Sequence, residues 1–244
     1  MSYNYIMKLT PKDIEELRTI LSVCKTLGIE GIILNEGRVR GAKPSLDVAI
    51  ISDTNLSISE ALRVGIGRVS ELDKRLGIFG ADINVDGKCN EAGDVSMLTM
   101  TAGKTKLQFR CTSVALMRAP KSNDDVPVCT IKVTKAEAAL IAKASKTLSA
   151  ETIVLYVNRA GAAKLECSDS AKDKFEIELS NQVKYADEEQ SLVQTYLAGL
   201  FVDVIDQGTR DTEEIDLIVG EVGSITAALK GHTVMIMPRL TDDD

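Results

Sequence analysis

Basic residues do not outnumber acidic ones: 29 Lys and Arg stand against 36 Asp and Glu, for a formal charge of −7. Taken alone, that balance argues against a nucleic-acid binder. Aromatic residues are scarce, with five Tyr, four Phe and no Trp. None lies among the helical cations, so stacking on single-stranded bases is poorly supported. The five cysteines, Cys24, Cys89, Cys111, Cys129 and Cys167, are odd in number and form no C-x-x-C pair. Buried, reduced thiols are expected in place of a disulfide framework or a zinc site. No run approaches the roughly 18 apolar residues that would span a bilayer, and no apolar N-terminal run follows a basic cluster. A soluble, intracellular protein with no membrane association is expected: host cytoplasm for a viral or prokaryotic chain, nucleus for a eukaryotic one.

Catalytic signatures are equally thin. His232 is the one histidine; it is expected at the surface or in a turn, and no Ser-His-Asp or Cys-His arrangement builds around it. Gly103-Lys104-Thr105 resembles the end of a phosphate-binding loop, but Leu98 occupies the place of the earlier glycine and a strand follows. Gly65-Ile66-Gly67 has Ser70 where a dinucleotide-binding motif needs its last glycine. No spaced carboxylate cluster suggests a metal. Neither catalysis, cofactor nor metal is expected.

What the chain does contain is a repeat. Residues 25–34 read Lys-Thr-Leu-Gly-Ile-Glu-Gly-Ile-Ile-Leu, and residues 146–155 read Lys-Thr-Leu-Ser-Ala-Glu-Thr-Ile-Val-Leu. In both copies an amphipathic helix precedes and an alternating strand follows. Thr10 and Pro11 open the first helix with Asp13 at its third position; Thr134 and Glu137 open the second in T-x-x-E spacing. A supersecondary unit repeated at this distance means two similar domains and not a short-period solenoid.

Helical spacing of Ile14, Leu17, Leu21 and Cys24 predicts a helix over 10–27. Two strands are predicted within 29–52 around Glu36-Gly37, with Leu46, Val48 and Ile50 on one face. A second helix is expected over 66–76, with Val69, Leu72 and Leu76 inward. Strands follow at 82–85, 95–101 and 106–115, broken at Asp86-Gly87 and Ala102-Gly103. The second half repeats the plan: a helix over 134–148, strands at 152–158, 163–168 and 175–179, a fourth helix over 192–205, and strands at 215–222, 225–229 and 232–237. The expected class is α+β with mostly antiparallel pairing. The expected organisation is a domain at 1–117, a connector at 118–129 that carries prolines and polar residues, and a domain at 130–244.

Charge is divided unevenly along this plan. Residues 1–117 carry 15 basic and 14 acidic groups, and residues 130–244 carry 12 and 20. On the helix at 134–148, Leu140, Ile141, Ala144 and Leu148 project to the buried side; Lys135, Ala139, Lys143 and Lys146 project to the other, with no acid among them. The helix at 66–76 offers Arg68, Lys74 and Arg75 with Glu71 and Asp73 interspersed. The first offers Lys12, Arg18 and Lys25 beside Glu15 and Glu16. The fourth offers no cation, but Asp203 and Asp206. Cations gathered on exposed helix faces of an acidic protein suit a surface that faces a polyanion while the rest repels it.

This order of elements resembles the sliding clamps, the DNA polymerase processivity factors, in the trimeric branch of proliferating cell nuclear antigen and the clamps of T-even-type bacteriophages. The likeness covers essentially the whole chain. It is most local at Val133-Thr134-Lys135-Ala136-Glu137 through Leu155 and in the tail His232–Leu240, where Met237-Pro238-Arg239-Leu240 precedes Asp242-Asp243-Asp244. The resemblance implies a homotrimeric ring of two-domain subunits, with helices lining a channel and sheets outside. It implies sequence-independent encirclement of double-stranded DNA, and partnership with a DNA polymerase and an ATP-dependent clamp loader. The channel would be lined by Lys12, Arg18, Lys25, Arg68, Lys74, Arg75, Lys135, Lys143 and Lys146. Subunits would join through the strands near 107–114 and 174–179, with Phe109, Cys111, Phe175 and Ile177 as apolar anchors. Partner peptides would dock on Met117, Pro120, Val126, Val128, Met237, Pro238 and Leu240. The acidic fourth helix departs from the family's more basic pattern. The alternative is an acidic two-domain protein-binding scaffold that does not encircle DNA.

Overall fold

A computed structural model of the chain describes residues 6–79, 83–120, 122 and 124–239. The chain divides into two compact units, residues 1–123 and 124–244. The first contains β1 (Ile6–Leu9), α1 (Pro11–Thr26), β2 (Ile32–Asn35), β3 (Arg38–Ala42), β4 (Val48–Asp53), β5 (Arg63–Ile66), α2 (Val69–Leu76), β6 (Asn84–Cys89), β7 (Asp94–Ala102) and β8 (Thr105–Arg110). The second contains β9 (Pro127–Thr134), α3 (Lys135–Thr147), β10 (Thr152–Val157), β11 (Ala163–Ser168), β12 (Lys174–Glu178), β13 (Lys184–Tyr185), β14 (Leu192–Leu197), α4 (Ala198–Gly208), β15 (Glu214–Gly220), β16 (Ile225–Leu229) and β17 (His232–Ile236).

The units correspond strand for strand. In the first, antiparallel pairing runs β1–β6–β7–β8 and β4–β3–β2–β5. In the second it runs β9–β15–β16–β17 and β12–β11–β10–β14, with the short β13 added beside β9. One departure breaks the match: a short parallel contact, Arg63 opposite Asp94 and Val64 opposite Val95, links β5 to β7. The predicted α+β class with two similar domains is the observed architecture.

Equivalent local chemistry starts the first helix of each unit. Thr10 and Asp13 form a complete capping box on α1, and Thr134 and Glu137 form one on α3, so side chains satisfy amides that the helix leaves unpaired. The ends match as well: Ile29 N donates to Cys24 O and Ala150 N to Ser145 O, the long closing bond of a left-handed helix stop. The left-handed residue is Gly28 (φ 67°) in one unit and Ser149 (φ 50°) in the other. Ile14, Leu17, Leu21 and Cys24 of α1, and Val69, Leu72 and Leu76 of α2, are buried as their spacing predicts. The helices pack in pairs, α1 on α2 and α3 on α4.

Several local expectations are corrected. Residues 192–197 form β14 and not the start of a helix; they pair along their length with β10, with Val193 turned outward and Tyr196 buried. The β-branched and aromatic residues there favour a pleated surface, and α4 starts only at Ala198. Asp86-Gly87 lies within β6 and pairs with Thr99 and Leu98. The reversal instead falls at 90–93, where Asn90 Oδ1 accepts the amides of Ala92 and Asp94. The strand expected over 106–115 ends at Arg110 and gives way to a 3₁₀ turn at Val114–Leu116. Leu46 is exposed in a left-handed turn while Val48 and Ile50 are buried. On α3, Ile141 is buried with Ala138, Ser145 and the cap residue Glu137, whereas Leu140 is 52% exposed among the lysines. The inward stripe is therefore rotated away from Leu140 by roughly one residue. His232 is buried, not at the surface. Among the described residues, no helix is long and apolar enough to cross a membrane.

Candidate functional site

The nine cations that the sequence places on exposed helix faces divide into two groups. Lys12, Lys143 and Lys146 are exposed, and their side chains have no ion-pair partner among the described residues. On α3 the one acid, Glu137, is buried and used in the cap. Lys135, Lys143 and Lys146 follow at spacings of eight and three residues and share one face. Of their three side chains, that of Lys135 alone has a hydrogen bond among the described residues, donating to the carbonyl of Arg210 at 3.4 Å.

The unit-1 cations are mostly engaged. Arg18 Nη2 donates to the carbonyls of Leu76 (2.9 Å) and Phe79 (3.1 Å), and so caps the C-terminal end of α2 with a positive charge. Lys25 pairs with Asp73 at 2.9 Å. Lys74 and Arg75 both approach Glu71, at 3.9 and 3.5 Å. Arg68 and Arg75 lie over the ring of Phe109, at 5.0 and 5.3 Å from its centroid. Arg68 also donates to the carbonyl of Arg110. Sequence reasoning missed Arg210, which lies two residues beyond α4 and pairs with Asp206 at 3.1 Å. Its i,i+4 spacing to Asp206 was the available signal.

Two buried carboxylates position the ends of α1 and α3. Beyond its cap, Asp13 Oδ1 accepts from Ser57 N at 2.8 Å, and Glu137 Oε1 accepts from Ser180 N at 2.6 Å. Each pins a helix start to the segment that follows its unit's fourth strand. Burial works to raise both pKa values. The hydrogen bonds from Thr10 and Ser57, and from Ser180 and Thr134, outweigh it and hold both groups below the ordinary carboxylate range. Burial likewise pushes the Cys24 and Cys111 thiols up to about 12, leaving them protonated and unreactive at neutral pH.

The residues expected to dock peptides fall in both units. In the first, Met117 and the 81% exposed Leu116 line a cleft of about 410 Å³ with Ala42 and Pro44. Pro120 is half-buried. In the second, Val126 is 54% exposed, Val128 is buried, and Met237 and Pro238 are half-buried. Glu221 N donates to Val126 O at 2.9 Å, which brings the exposed Val222 beside Val126. Asp125 fixes that arrangement by accepting from Val222 N, Ser224 N and Ser224 Oγ. Arg239 N donates to Thr195 O at 2.7 Å, so the tail runs along β14. Val222 was missed by sequence reasoning, because an isolated valine in a turn carries no periodic signal. Leu240 lies outside the described residues.

The two expected joint strands are edges: among the described strands β8 pairs only with β7, and β12 only with β11. Phe109 is fully buried within its own unit beneath Arg68 and Arg75, while Cys111, Phe175 and Ile177 are half-buried. Among the described residues no cluster of His, Cys, Asp and Glu has the grouping to hold a metal ion.

No protein-family model matches the chain, and no curated protein matches it. Solved structures do. A chain of the PCNA2–PCNA3 complex from Sulfolobus tokodaii is similar at 15% identity and a TM-score of 0.64, covering 96% of this chain and 99% of that one. The proliferating cellular nuclear antigen of Entamoeba histolytica is similar at 10% identity and 0.65, covering 97% and 99%. The structure of the C-terminal region of FEN-1 bound to A. fulgidus PCNA contains a chain similar at 12% identity and 0.65, covering 98% and 99%. Two duplicated α+β units, matched from end to end by these structures, give this chain the sliding-clamp fold.

Proposed function

We propose that this chain is the subunit of a homotrimeric ring that encircles double-stranded DNA without reading its sequence and tethers a DNA polymerase. The observation that carries the reading is the acid-free face of α3, with Lys135, Lys143 and Lys146 on a helix of a clamp-type unit. A processivity factor needs long residence without a fixed grip, and each phosphate neutralised adds salt-dependent affinity that opposes sliding. A closed ring removes the conflict, because topology retains the DNA and flexible lysines only centre it. An acidic exterior keeps DNA off the outside. The domain plan is two clamp units joined near residues 118–129, loaded by an ATP-dependent clamp loader and non-catalytic. Self-association is supported by the PCNA2–PCNA3 structure, and peptide docking by the structure with FEN-1. For docking we assign the Val126–Val222 surface, with Met117, Pro120, Val128, Met237, Pro238 and Leu240.

Sedimentation equilibrium over a wide concentration range tests the ring, with a mass converging on three times the 26.3 kDa chain expected. Charge reversal of Lys143 and Lys146 is expected to weaken DNA-dependent stimulation of the cognate polymerase while the oligomer persists. The second reading is an acidic scaffold that never encircles DNA. It is favoured by the neutralisation of Lys25, Lys74 and Arg75 by Asp73 and Glu71. A monomer at every concentration, with no effect on the polymerase, would put that reading first.

A further inference from the structure

The sheet β1–β6–β7–β8 buries one face and leaves the other to solvent. Val85, Leu98, Met100 and Phe109 point into the core of the first unit. On the opposite face the pairing sets side chains in rows. Lys88, Met97 and Arg110 stand side by side across β6, β7 and β8, and Lys8 stands opposite Asp86 in the next row. Lys106 shares that face, four residues before Arg110 on β8. Lys8, Lys88, Lys106 and Arg110 are exposed, and none has an ion-pair partner among the described residues. Asp86 is the one acid in these rows, and it offsets Lys8, the residue it faces.

Between Lys88 and Arg110 this face sinks into a cleft of about 350 Å³. The half-buried Met97 lies between the two cations, and Asn90, Thr112 and Ser113 bring side chains that can donate hydrogen bonds. Asp94, the acid of the cleft, is paired with Arg63 at 2.8 Å, so Lys88 and Arg110 are left uncompensated. The second unit does not repeat this charge. On its equivalent strands Lys132 of β9 is held by both Glu214 and Asp216, and β15, β16 and β17 carry no Lys or Arg. The cationic face is thus a property of the first unit, in a chain whose acidic excess lies in the second.

We propose that this face binds an extended acidic peptide segment of a partner protein, with carboxylates on Lys88 and Arg110 at the cleft and on Lys106 along β8. Charge complementarity names the occupant. Lys106 and Arg110 are separated by about 14 Å along β8, and Lys88 and Arg110 by about 10 Å across the strands. An extended peptide presents side chains on one side every ~7 Å, so acids at alternate positions meet these cations in turn. Met97 adds apolar contact for the methylenes of a glutamate. A nucleic-acid backbone carries charge at every step and would bring a phosphate against Asp86, whereas a peptide can place a neutral residue there. Side chains on a sheet face stand roughly perpendicular to it, so a strand added at the free edge of β8 would extend the sheet without covering this face. Binding here does not require the ring.

Fluorescence anisotropy of a labelled octapeptide of alternating Glu and Thr, titrated with the full chain at low salt, tests the site. Saturable binding is expected. Lys88→Gln/Arg110→Gln should weaken it about tenfold, while Lys143→Gln/Lys146→Gln on α3 should change it less than about twofold. Carbodiimide coupling of the peptide carboxylates to the wild-type chain should mark Lys88 and Lys106 ahead of Lys143 and Lys146, and it reads the site even where a variant fails to fold. No saturable binding by the wild type, equal loss from the two double variants, or coupling mainly on α3 would overturn the site. A single-stranded oligonucleotide that binds more tightly than the peptide, and loses that binding in Lys88→Gln/Arg110→Gln, would make nucleic acid the occupant and overturn the assignment to a peptide.

Discussion

Replacing Glu137 by Gln tests whether one carboxylate organises a whole helix start. The group accepts from Thr134 N (2.8 Å), Thr134 Oγ1 (2.7 Å) and Ser180 N (2.6 Å), in a residue 7% exposed. Glutamine can keep the bond from Ser180 through its carbonyl oxygen, but its amide nitrogen would then face two donors. The charge assistance of all three bonds is lost, and one or two buried donors are left without an acceptor. A lost cap is worth roughly 0.5–2 kcal/mol and an orphaned buried donor about 1–3 kcal/mol, so about 2 kcal/mol is expected at pH 7. For domains of this size that corresponds to roughly 5–10 °C in Tm. The pKa of Glu137 is held below its ordinary value, so the unfolded chain binds this proton more readily than the folded one. Its stabilisation is therefore present above the unfolded carboxylate pKa of about 4.3 and is lost as pH falls through the lower folded value. Thermal unfolding followed by circular dichroism from pH 7 to pH 3 should show wild type and variant converging below about pH 4. A variant within ~0.5 kcal/mol of wild type at pH 7, or a gap unchanged across that range, would refute the assignment.

Ser149→Gly should raise stability by about 0.5 kcal/mol, because Ser149 holds the left-handed conformation that its counterpart Gly28 supplies without a side chain. Denaturant midpoints check the sign, and Gly28→Ala should move the other way by about 1 kcal/mol. Arg18→Ala should cost roughly 1–2 kcal/mol through loss of its bonds to the end of α2, while DNA retention changes less than in Lys143→Ala/Lys146→Ala. Comparing unfolding with salt-dependent DNA retention separates the two effects. Gly208→Ala should destabilise by roughly 1–3 kcal/mol despite its helical position, since a Cβ there would stand 1.9 Å from Ile215 Cδ1; urea unfolding is the check.

Much of the architecture was legible because local and long-range signals agree at the duplicated positions. Thr10 with Asp13 and Thr134 with Glu137 mark equivalent helix starts, and the Lys-Thr-Leu copies mark equivalent ends. Where a segment carries no punctuation the reading failed. Leu192–Leu197 runs into α4 through Leu197, which makes no side-chain cap, so nothing local separates strand from helix. Short strands such as β1 and β5 exist through pairing with distant partners and leave little periodicity of their own. The charged surface shows the same limit. The cations on α1 and α2 were visible as residues, but the bond from Arg18 to Leu76 spans 58 positions and the Lys25–Asp73 pair spans 48. Spacing along one helix cannot reveal which of its cations another helix consumes.

The duplication of fold without duplication of charge bears directly on function. Lys12 aside, the cations of α1 and α2 named above are balanced by Glu71 and Asp73 or bonded to backbone, whereas α3 carries Lys143 and Lys146 with no ion-pair partner among the described residues and its acid is buried in a cap. Exposed lysines without an ion-pair partner keep their hydration and mobility, and under the proposed function would exchange phosphates as DNA moves past. Paired arginines instead hold packing geometry: Arg68 and Arg75 cover Phe109 on β8, an edge strand among the described strands and the one where the resemblance implies a joint. A ring built this way would separate its two tasks by residue. Removing Lys143 and Lys146 would then change how DNA is held and leave assembly alone, while removing Arg68 and Arg75 would loosen assembly first and DNA retention only as its consequence.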